Sequence, residues 1–313
     1  MQTALSRHQQ RIEVALSSGQ AVRSAIAASW ARSVHLHGLD PTRRHAVPRL
    51  TLAELTQARD RLGPLPLLAA PHLDRLFQIV GGLGACVVLA DAEGVALDRR
   101  GNPGDDRDFS DSGLWIGANW SEAEVGTNGI GTCLAEGRAV TIHRDQHFLA
   151  HNTGLSCSSA PVHDAQGRLA AVIDVSTARA DLPEAVASLI AHTVGDTARK
   201  METDLFRDHF PRARMVLVPG LDQGQGAVLA VDADDLVIGA TRAARAHLGL
   251  KGDLSATPRP LADLVQLEAH ERLEDAERAV LNRAMARASG NVSAAARALG
   301  LSRATMHRKL GRN

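Results

Sequence analysis

No run of about 18 apolar residues occurs anywhere in this 313-residue sequence, so a membrane-spanning helix is excluded. The opening Met-Gln-Thr-Ala-Leu-Ser-Arg-His leads into an Arg- and Glu-bearing helix and offers no apolar signal core, so a cytoplasmic chain with no membrane partner is expected. Cysteine is scarce. Cys86, Cys133 and Cys157 are odd in number and widely spaced, which fits neither a disulfide framework nor a structural zinc site. Net charge is also lacking, 35 basic residues standing against 35 acidic, so bulk charge selects no partner. With 44% hydrophobic residues the chain has enough apolar material for two or three ordinary cores.

Charge is present in its distribution. From Ala276 onward Arg278, Arg283, Arg287, Arg297, Arg303, Arg308, Lys309 and Arg312 are opposed only by Glu277, an asymmetry that points to nucleic acid. Upstream, Val22, Ile26, Trp30 and Val34 share one helical face that ends near His37, ahead of Gly38 and Pro41. Thr51 and Glu54 have the spacing of a capping box, opening a helix that ends near Gly63-Pro64. A third helix is expected from about Pro71 to Val80. At Ala85 the period changes to that of strands, with a hairpin turning at Asp91 to Gly94 and further strands at 139–143, 158–162 and 169–175. Glu124 to Glu136 reads as a Gly-rich stretch with a short helix, giving an α+β layout, a sheet with helices on one face.

Asp181 and Glu184 again have capping spacing, with Pro183 in the first turn of a helix carrying Val186, Leu189, Ile190, Thr193, Val194, Thr197, Met201 and Leu205. That stripe suits a dimeric coiled coil or a helix lying on its own domain. A strand, turn, strand and helix follow between Ala227 and Leu248. Thr257 to Pro260 reads as a linker, and Glu268 to Ala288 as an amphipathic helix with Leu273, Val280, Leu281 and Met285 inward.

From Asn291 to Leu310 the features of a helix-turn-helix coincide. Ala295 and Ala296 are small where two helices would cross, Gly300 falls at the turn, and Ser302 can cap the second helix. With Leu299, Leu301, Met306 and Leu310 assigned to the core, the outward face carries Arg303, Thr305, His307, Arg308 and Lys309. Arg303 is the first choice for a base edge; Thr305, His307, Arg308, Lys309 and the Asn291 end suit phosphates. The segment resembles the Fis-type helix-turn-helix, which implies a homodimer on double-stranded DNA reading two half-sites about one helical turn apart.

Ser29-Trp30-Ala31-Arg32-Ser33, Glu124-Val125-Gly126-Thr127-Asn128-Gly129-Ile130-Gly131-Thr132, Gln146-His147-Phe148 and Ser156 to Pro161 resemble the acetoin-catabolism and dihydroxyacetone-kinase regulators among the sigma-54-dependent activators. The resemblance implies a GAF sensory domain and, over Gly226 to Leu250, a degenerate PAS-like segment. The expected plan is an N-terminal helical segment at 1–70, a GAF-like domain at 71–182, a connecting helix at 183–210, a PAS-like segment at 211–260 and a Fis-type domain at 268–313. About 70 residues separate Lys200 from the long helix, and they hold neither a Gly-x-x-x-x-Gly-Lys-Ser/Thr phosphate loop nor a Gly-Ala-Phe-Thr-Gly-Ala loop. ATP hydrolysis is therefore not carried over. The expected regulator binds DNA and recruits or blocks RNA polymerase, or pairs with a full-length relative.

Candidates for contact with a small-molecule effector, by position in the family-like stretch, are Asn119, Trp120, Thr127, Asn128, Cys133, His147 and Cys157. Trp115 and Trp120 also suit a core, and Asn128 a turn cap. His143, His147 and His151 repeat every four residues, but His143 falls in a strand, so no metal and no cofactor are expected. Two other classes compete with a non-enzymatic regulator. One is thiol chemistry, as a redox sensor or methionine sulfoxide reductase, which needs an exposed low-pKa thiolate. The other is an architectural DNA-binding protein, which would leave some 200 sensor residues without a task.

Overall fold

Alternating inward residues build a five-stranded antiparallel sheet from β1 (Ala85–Asp91), β2 (Ala96–Arg100), β3 (Val140–His143), β4 (Ser156–His163) and β5 (Leu169–Thr177), in the order β2-β1-β5-β4-β3. The computed structural model describes residues 2–18, 24–44, 46–219, 226–265 and 273–311. These fall into two units divided between Arg259 and Pro260. The α+β class is as expected, but helices cover both faces of the sheet. Ala85, Val87 and Leu89 pack against α4 (Leu65–Val80) and α8 (Glu184–His209), whereas Cys86, Val88 and Ala90 face a second core with Trp30, Phe109, Trp120 and Phe148. The reason is that both alternating sets of β1 are apolar, so neither face can be left in water.

Over that second face lie α1 (Gln2–Ser17), α2 (Ala25–Ala31) with a π-helical turn at Arg32–Leu36, α5 (Asp106–Ser112), α6 (Glu122–Val125) and α7 (Gly129–Glu136); α3 (Leu52–Arg61) packs beside β2. The capping box of Thr51 and Glu54 forms as the spacing predicts. By contrast, α4 begins six residues before Pro71, because the stripe Leu65, Ala69, Leu73, Leu76 and Val80 runs through the proline and its burial outweighs one lost backbone hydrogen bond. Asp181 does not cap α8. Pro183 occupies the cap position and Asp181 pairs with Arg179 instead, Nε to Oδ1 at 3.3 Å. The helix lies on its own sheet through Ile190, Val194, Ala198, Met201 and Leu205, while Leu189 is exposed.

A second sheet, β6 (Arg214–Leu217), β7 (Val228–Val231), β8 (Leu236–Ala240) and β9 (Arg259–Pro260), with α9 (Arg242–Leu248), carries the small strand-turn-strand-helix unit. Two of its strands depart from expectation. β6 is too short and too mixed to stand out as a run, and β9 turns the end of the expected linker into an edge strand, where proline's missing N–H is tolerated. The other unit holds α10 (Leu261–Leu264), α11 (Leu273–Arg287), α12 (Val292–Ala298) and α13 (Arg303–Lys309).

The N-terminal helices are held by a buried polar clamp. Glu122, only 5% exposed, receives Arg32 through Nε at 2.7 Å and Nη2 at 2.9 Å, and Ser29 Oγ donates to it at 2.5 Å. Ser29 Oγ also meets Thr127 Oγ1 at 2.6 Å and Thr132 Oγ1 at 3.2 Å, and Arg32 Nη1 reaches Glu136 at 3.1 Å. Beside it Trp30 Nε1 donates to the Gln146 carbonyl at 2.9 Å, and His8 Nε2 contacts that of Phe148 at 2.9 Å.

Beneath the clamp, register puts Cys86, Ser176 and Cys157 in one row across β1, β5 and β4, and Asp174 and Ser159 in the next. Asp174 takes hydrogen bonds from Ser159 at 2.5 Å and Ser176 at 2.6 Å, yet burial pushes its carboxyl up to about 6. His147, fully buried, is pushed down to about 4, chiefly by burial.

Two predictions follow from this interior. Arg32→Ala strands Glu122 without its guanidinium; with Arg32 itself 29% exposed, the cost falls at the low end of the buried-pair range, about 3 kcal/mol in urea unfolding. A loss below ~1 kcal/mol would make the clamp incidental. The second concerns pH. Because folding raises the Asp174 pKa above 3.8, its contribution is full at low pH and is lost as pH rises through about 6. Because folding lowers the His147 pKa below 6.5, its contribution is full above 6.5 and is lost as pH falls towards about 4. The two slopes oppose each other, so Asp174→Asn should gain stability over the wild type progressively from pH 4 to 7. Parallel profiles of the two proteins would sink the assignment.

Candidate functional site

The sensor-side candidates fall into one neighbourhood, where most of their polar atoms are engaged by the protein. Asn128 caps α7 by accepting from Gly131 N–H at 2.9 Å, and its amide donates to the carbonyls of Trp120 at 2.9 Å and Gly126 at 2.8 Å. Thr127 belongs to the Ser29 clamp. Trp120 is buried with Nε1 on the Gly113 carbonyl at 3.1 Å, and the half-buried Asn119 accepts from Ser121 N–H at 2.9 Å. The Gly-rich stretch is explained by close approach. A Cβ on Gly129 would stand 2.5 Å from Ser159 Oγ and 2.6 Å from Asp174 Oδ1, and one on Gly131 would stand 2.5 Å from the Glu122 nitrogen. Only glycine at 129 lets α7 sit this low on the sheet, and only glycine at 131 lets it lie against the Trp120–Glu122 backbone.

Thiol chemistry has no support in this geometry. His147 Nδ1 faces the Arg144 carbonyl at 2.9 Å, so its proton sits there, and Nε2 is left to accept from Cys157 Sγ at 3.2 Å. No basic residue flanks Cys157 closely in the sequence, and its imidazole neighbour comes from ten residues upstream in the chain. That imidazole is neutral and does not activate the thiol. Burial, reinforced by Asp174, pushes Cys86 up to about 12 and pushes Cys133 and Cys157 up as well. Of the three spaced histidines, His143 bonds Ser156 across the β3–β4 pair, His147 is buried, and His151 sits in a separate short turn. Among the described residues no cluster of three or more His, Cys, Asp or Glu stands close enough to hold a metal.

Arg99 went unnoticed in the sequence. Register places it on the inward face of β2 opposite Val88, where its guanidinium lies 4.3 Å from the Trp115 ring centroid and 5.4 Å from that of Phe109. Trp115 is correspondingly half-buried.

In the second unit the helix-turn-helix forms as the spacing predicts. Asn291 caps α12 through Ala294 N–H at 3.1 Å, Gly300 adopts φ +66° at the turn, and Ser302 caps α13 through Thr305 N–H at 3.1 Å. Ala295, Ala296 and Met306 are buried against Leu281 and Ala284 of α11. Glu268 to Arg272 lie outside the described residues. Leu273 and Val280, expected inward, are exposed, Leu273 at 90%; the three-helix core is filled from the face of Leu281 and Ala284.

The outward face of α13 is narrower than its composition suggests. Ser302 and Thr305 bond each other at 2.8 Å, and Lys309 Nζ is ion-paired with Glu277 of α11. What projects freely is Arg303, Ala304 and Arg308, with His307 half-buried among them. Ala304 carries no charge or polar group, so nothing in the composition flagged it.

Comparison with known proteins agrees with this division. The profile of the MimR N-terminal domain matches residues 2–200, and that of the Fis family of bacterial regulatory proteins matches residues 272–312. The acetoin catabolism regulatory protein of Cupriavidus necator is 33% identical over 234 residues, covering 74% of this chain and 35% of that protein. The propane 2-monooxygenase operon transcriptional activator MimR of Mycolicibacterium smegmatis is 32% identical over 226 residues, 68% of this chain and 36% of that one. This chain thus spans about a third of the length of these relatives. The E. coli DhaR(N)–DhaL complex superposes with a TM-score of 0.55 over 76% of this chain and 81% of that one, at 19% identity, which establishes a shared fold. With more than half of its length matched by one profile and its helix-turn-helix by the other, the chain belongs to the family of MimR and the acetoin catabolism regulators.

Proposed function

We propose that this protein is a sequence-specific DNA-binding transcriptional regulator whose GAF-like domain, residues 71–182, responds to a small molecule, and which acts without an ATPase of its own. One observation carries the reading. A capped, alanine-crossed helix-turn-helix of the Fis family presents Arg303, Ala304, His307 and Arg308 outward as a single face. Arg303, at the start of α13, is placed to meet a guanine edge, and Arg308 a phosphate. Leu273 and Val280, seven residues apart on α11 and outside the three-helix core, favour a homodimer joined through that helix. The sensor reading is favoured by the fold shared with the N-terminal part of DhaR and by membership of a family whose named relatives are transcriptional activators. The output is recruitment or obstruction of RNA polymerase, or pairing with a full-length relative.

Capture of genomic fragments by the purified protein, followed by footprinting, tests this. One or a few protected palindromes are expected, and uniform coverage would indicate an architectural protein instead. On a captured site, Arg303→Ala should cost about 1 to 3 kcal/mol and relax one base position. Equal weakening on all sequences would make Arg303 a phosphate contact. Arg308→Gln should reduce the salt dependence of binding more than Lys309→Gln, because Lys309 is already paired with Glu277. The reverse order would mean that the ion pair opens on DNA.

A further inference from the structure

The free face of α13 has an apolar centre. At 3.6 residues per turn, the buried Met306 and the half-buried Leu310 fix the inward side of this helix, and the positions on the side opposite them are Ala304 and Arg308. Arg303 and His307 flank that line on one side, Thr305 and Lys309 on the other. The second flank is engaged within the protein. Lys309 Nζ is ion-paired with Glu277, and Thr305 is half-buried with its hydroxyl 2.8 Å from that of Ser302. Ser302 Oγ also accepts the Thr305 N–H at 3.1 Å. The two hydroxyls nearest Ala304 in the chain are therefore bonded to each other, and Arg303 is the exposed polar side chain beside it.

A recognition helix enters the major groove with its N-terminal turn foremost, and the middle of its open face reaches deepest. Ala304 meets both conditions: it is the second residue of α13 and lies on the midline of that face. Arg308 lies on the same midline one turn further along, where the helix rises towards the backbone. On the groove floor, guanine, adenine and cytosine present acceptors and amino donors, and thymine adds a 5-methyl group, the single apolar feature of the four edges. An alanine methyl pressed against a carbonyl or an amino group takes water from it and returns no hydrogen bond. Against a thymine methyl both surfaces leave water together, and neither loses a partner. Spacing fixes the place. Consecutive Cα atoms stand about 3.8 Å apart and consecutive base pairs about 3.4 Å, so Ala304 falls within one base pair of that met by Arg303.

We propose that Ala304 is a specificity-determining residue, whose methyl packs on the 5-methyl of a thymine within one base pair of the guanine that Arg303 meets, once in each half-site. This deepens the DNA-binding reading given above and rests on it, by naming a base that the target must contain. The two neighbours divide the recognition. Arg303 supplies a two-pronged polar contact and Ala304 the apolar one, so a half-site with cytosine in place of the thymine keeps the first and loses the second.

The test uses the full chain on a site obtained by genomic capture and footprinting. Each thymine of the half-sites is replaced singly by deoxyuridine, which removes the methyl and keeps the pairing. At one thymine per half-site, within one base pair of the position relaxed by Arg303→Ala, uracil should weaken binding about three- to fivefold, the size expected for one methyl returned to water. A 5-methylcytosine·guanine pair there should bind more tightly than an unmethylated one. Ala304→Gly weakens the helix and lowers affinity overall, but the ratio of thymine to uracil affinity within that variant is independent of this loss and should fall to about one. Ala304→Ser, which disturbs the helix less, should reduce the ratio likewise. Circular dichroism confirms that both variants are folded. A half-site without such a thymine, uracil bound as tightly as thymine by the wild type, or a ratio that survives in both folded variants would each overturn the assignment. Capture separates this from the broader reading. No captured site removes the regulator reading together with it, whereas a protected site with no methyl dependence removes the role of Ala304 alone and leaves the regulator standing.

Discussion

The ion pair between Arg32 and Glu122 is the contact on which the arrangement around the five-stranded sheet depends. A carboxylate as buried as Glu122 is tolerable only while a guanidinium and a hydroxyl satisfy it, and both come from one helical turn about ninety residues upstream. Fixing Ser29 and Arg32 fixes the whole of α2. That in turn seats Trp30 on the Gln146 carbonyl and brings α1, with His8, over the Phe148 carbonyl. The π-helical turn at Arg32–Leu36 belongs to the same constraint. Its wider winding carries the chain from the clamp to the Gly38 bend, with His37 N–H bonded to the Arg32 carbonyl at 3.0 Å.

The same demand for close approach explains the interior of the sheet. With α6 and α7 held down by the clamp, the start of α7 passes directly over β4 and β5 at Gly129 and against the Trp120–Glu122 backbone at Gly131, so neither can carry a side chain. The strand residues beneath are small and polar: Ser159, Ser176, Cys157 and Asp174. Asp174 is the costly member of this set. Two serine hydroxyls stabilise its charged form, but they do not offset complete burial, which pushes the carboxyl up to about 6.

Legibility in the sequence followed the range of the interactions. The Thr51 and Glu54 capping box, the Asp91 turn and the whole helix-turn-helix rest on contacts within a few residues, so their spacing is their structure. Interactions that needed a partner from far along the chain were hidden. Ser29 and Arg32 stood out only as part of a family-like motif, with no sign that Glu122 was their partner. Arg99 was invisible because its inward direction follows from pairing with Val88, and a bulge between Leu89 and Ala90 breaks the simple alternation that would have revealed it. Local rules also misled where packing was stronger, as at Pro71 inside α4 and at Leu273 and Val280 on the open side of α11.

The motif residues that first drew attention on the sensor side, Thr127, Asn128 and His147, are occupied in building the domain: one in the clamp, one as a helix cap, one in the core. A side chain whose donors and acceptors are all engaged has little left with which to discriminate ligands. The buried polar atoms that folding leaves without a protein partner lie elsewhere, among them those of Arg99 on β2 and Asn152 in the turn before β4. The division is physically reasonable. Residues that satisfy one another fix a shape that related proteins can share, while the unsatisfied ones can change from protein to protein without unfolding it. Similarity in the motif stretches therefore carries the fold from one relative to another.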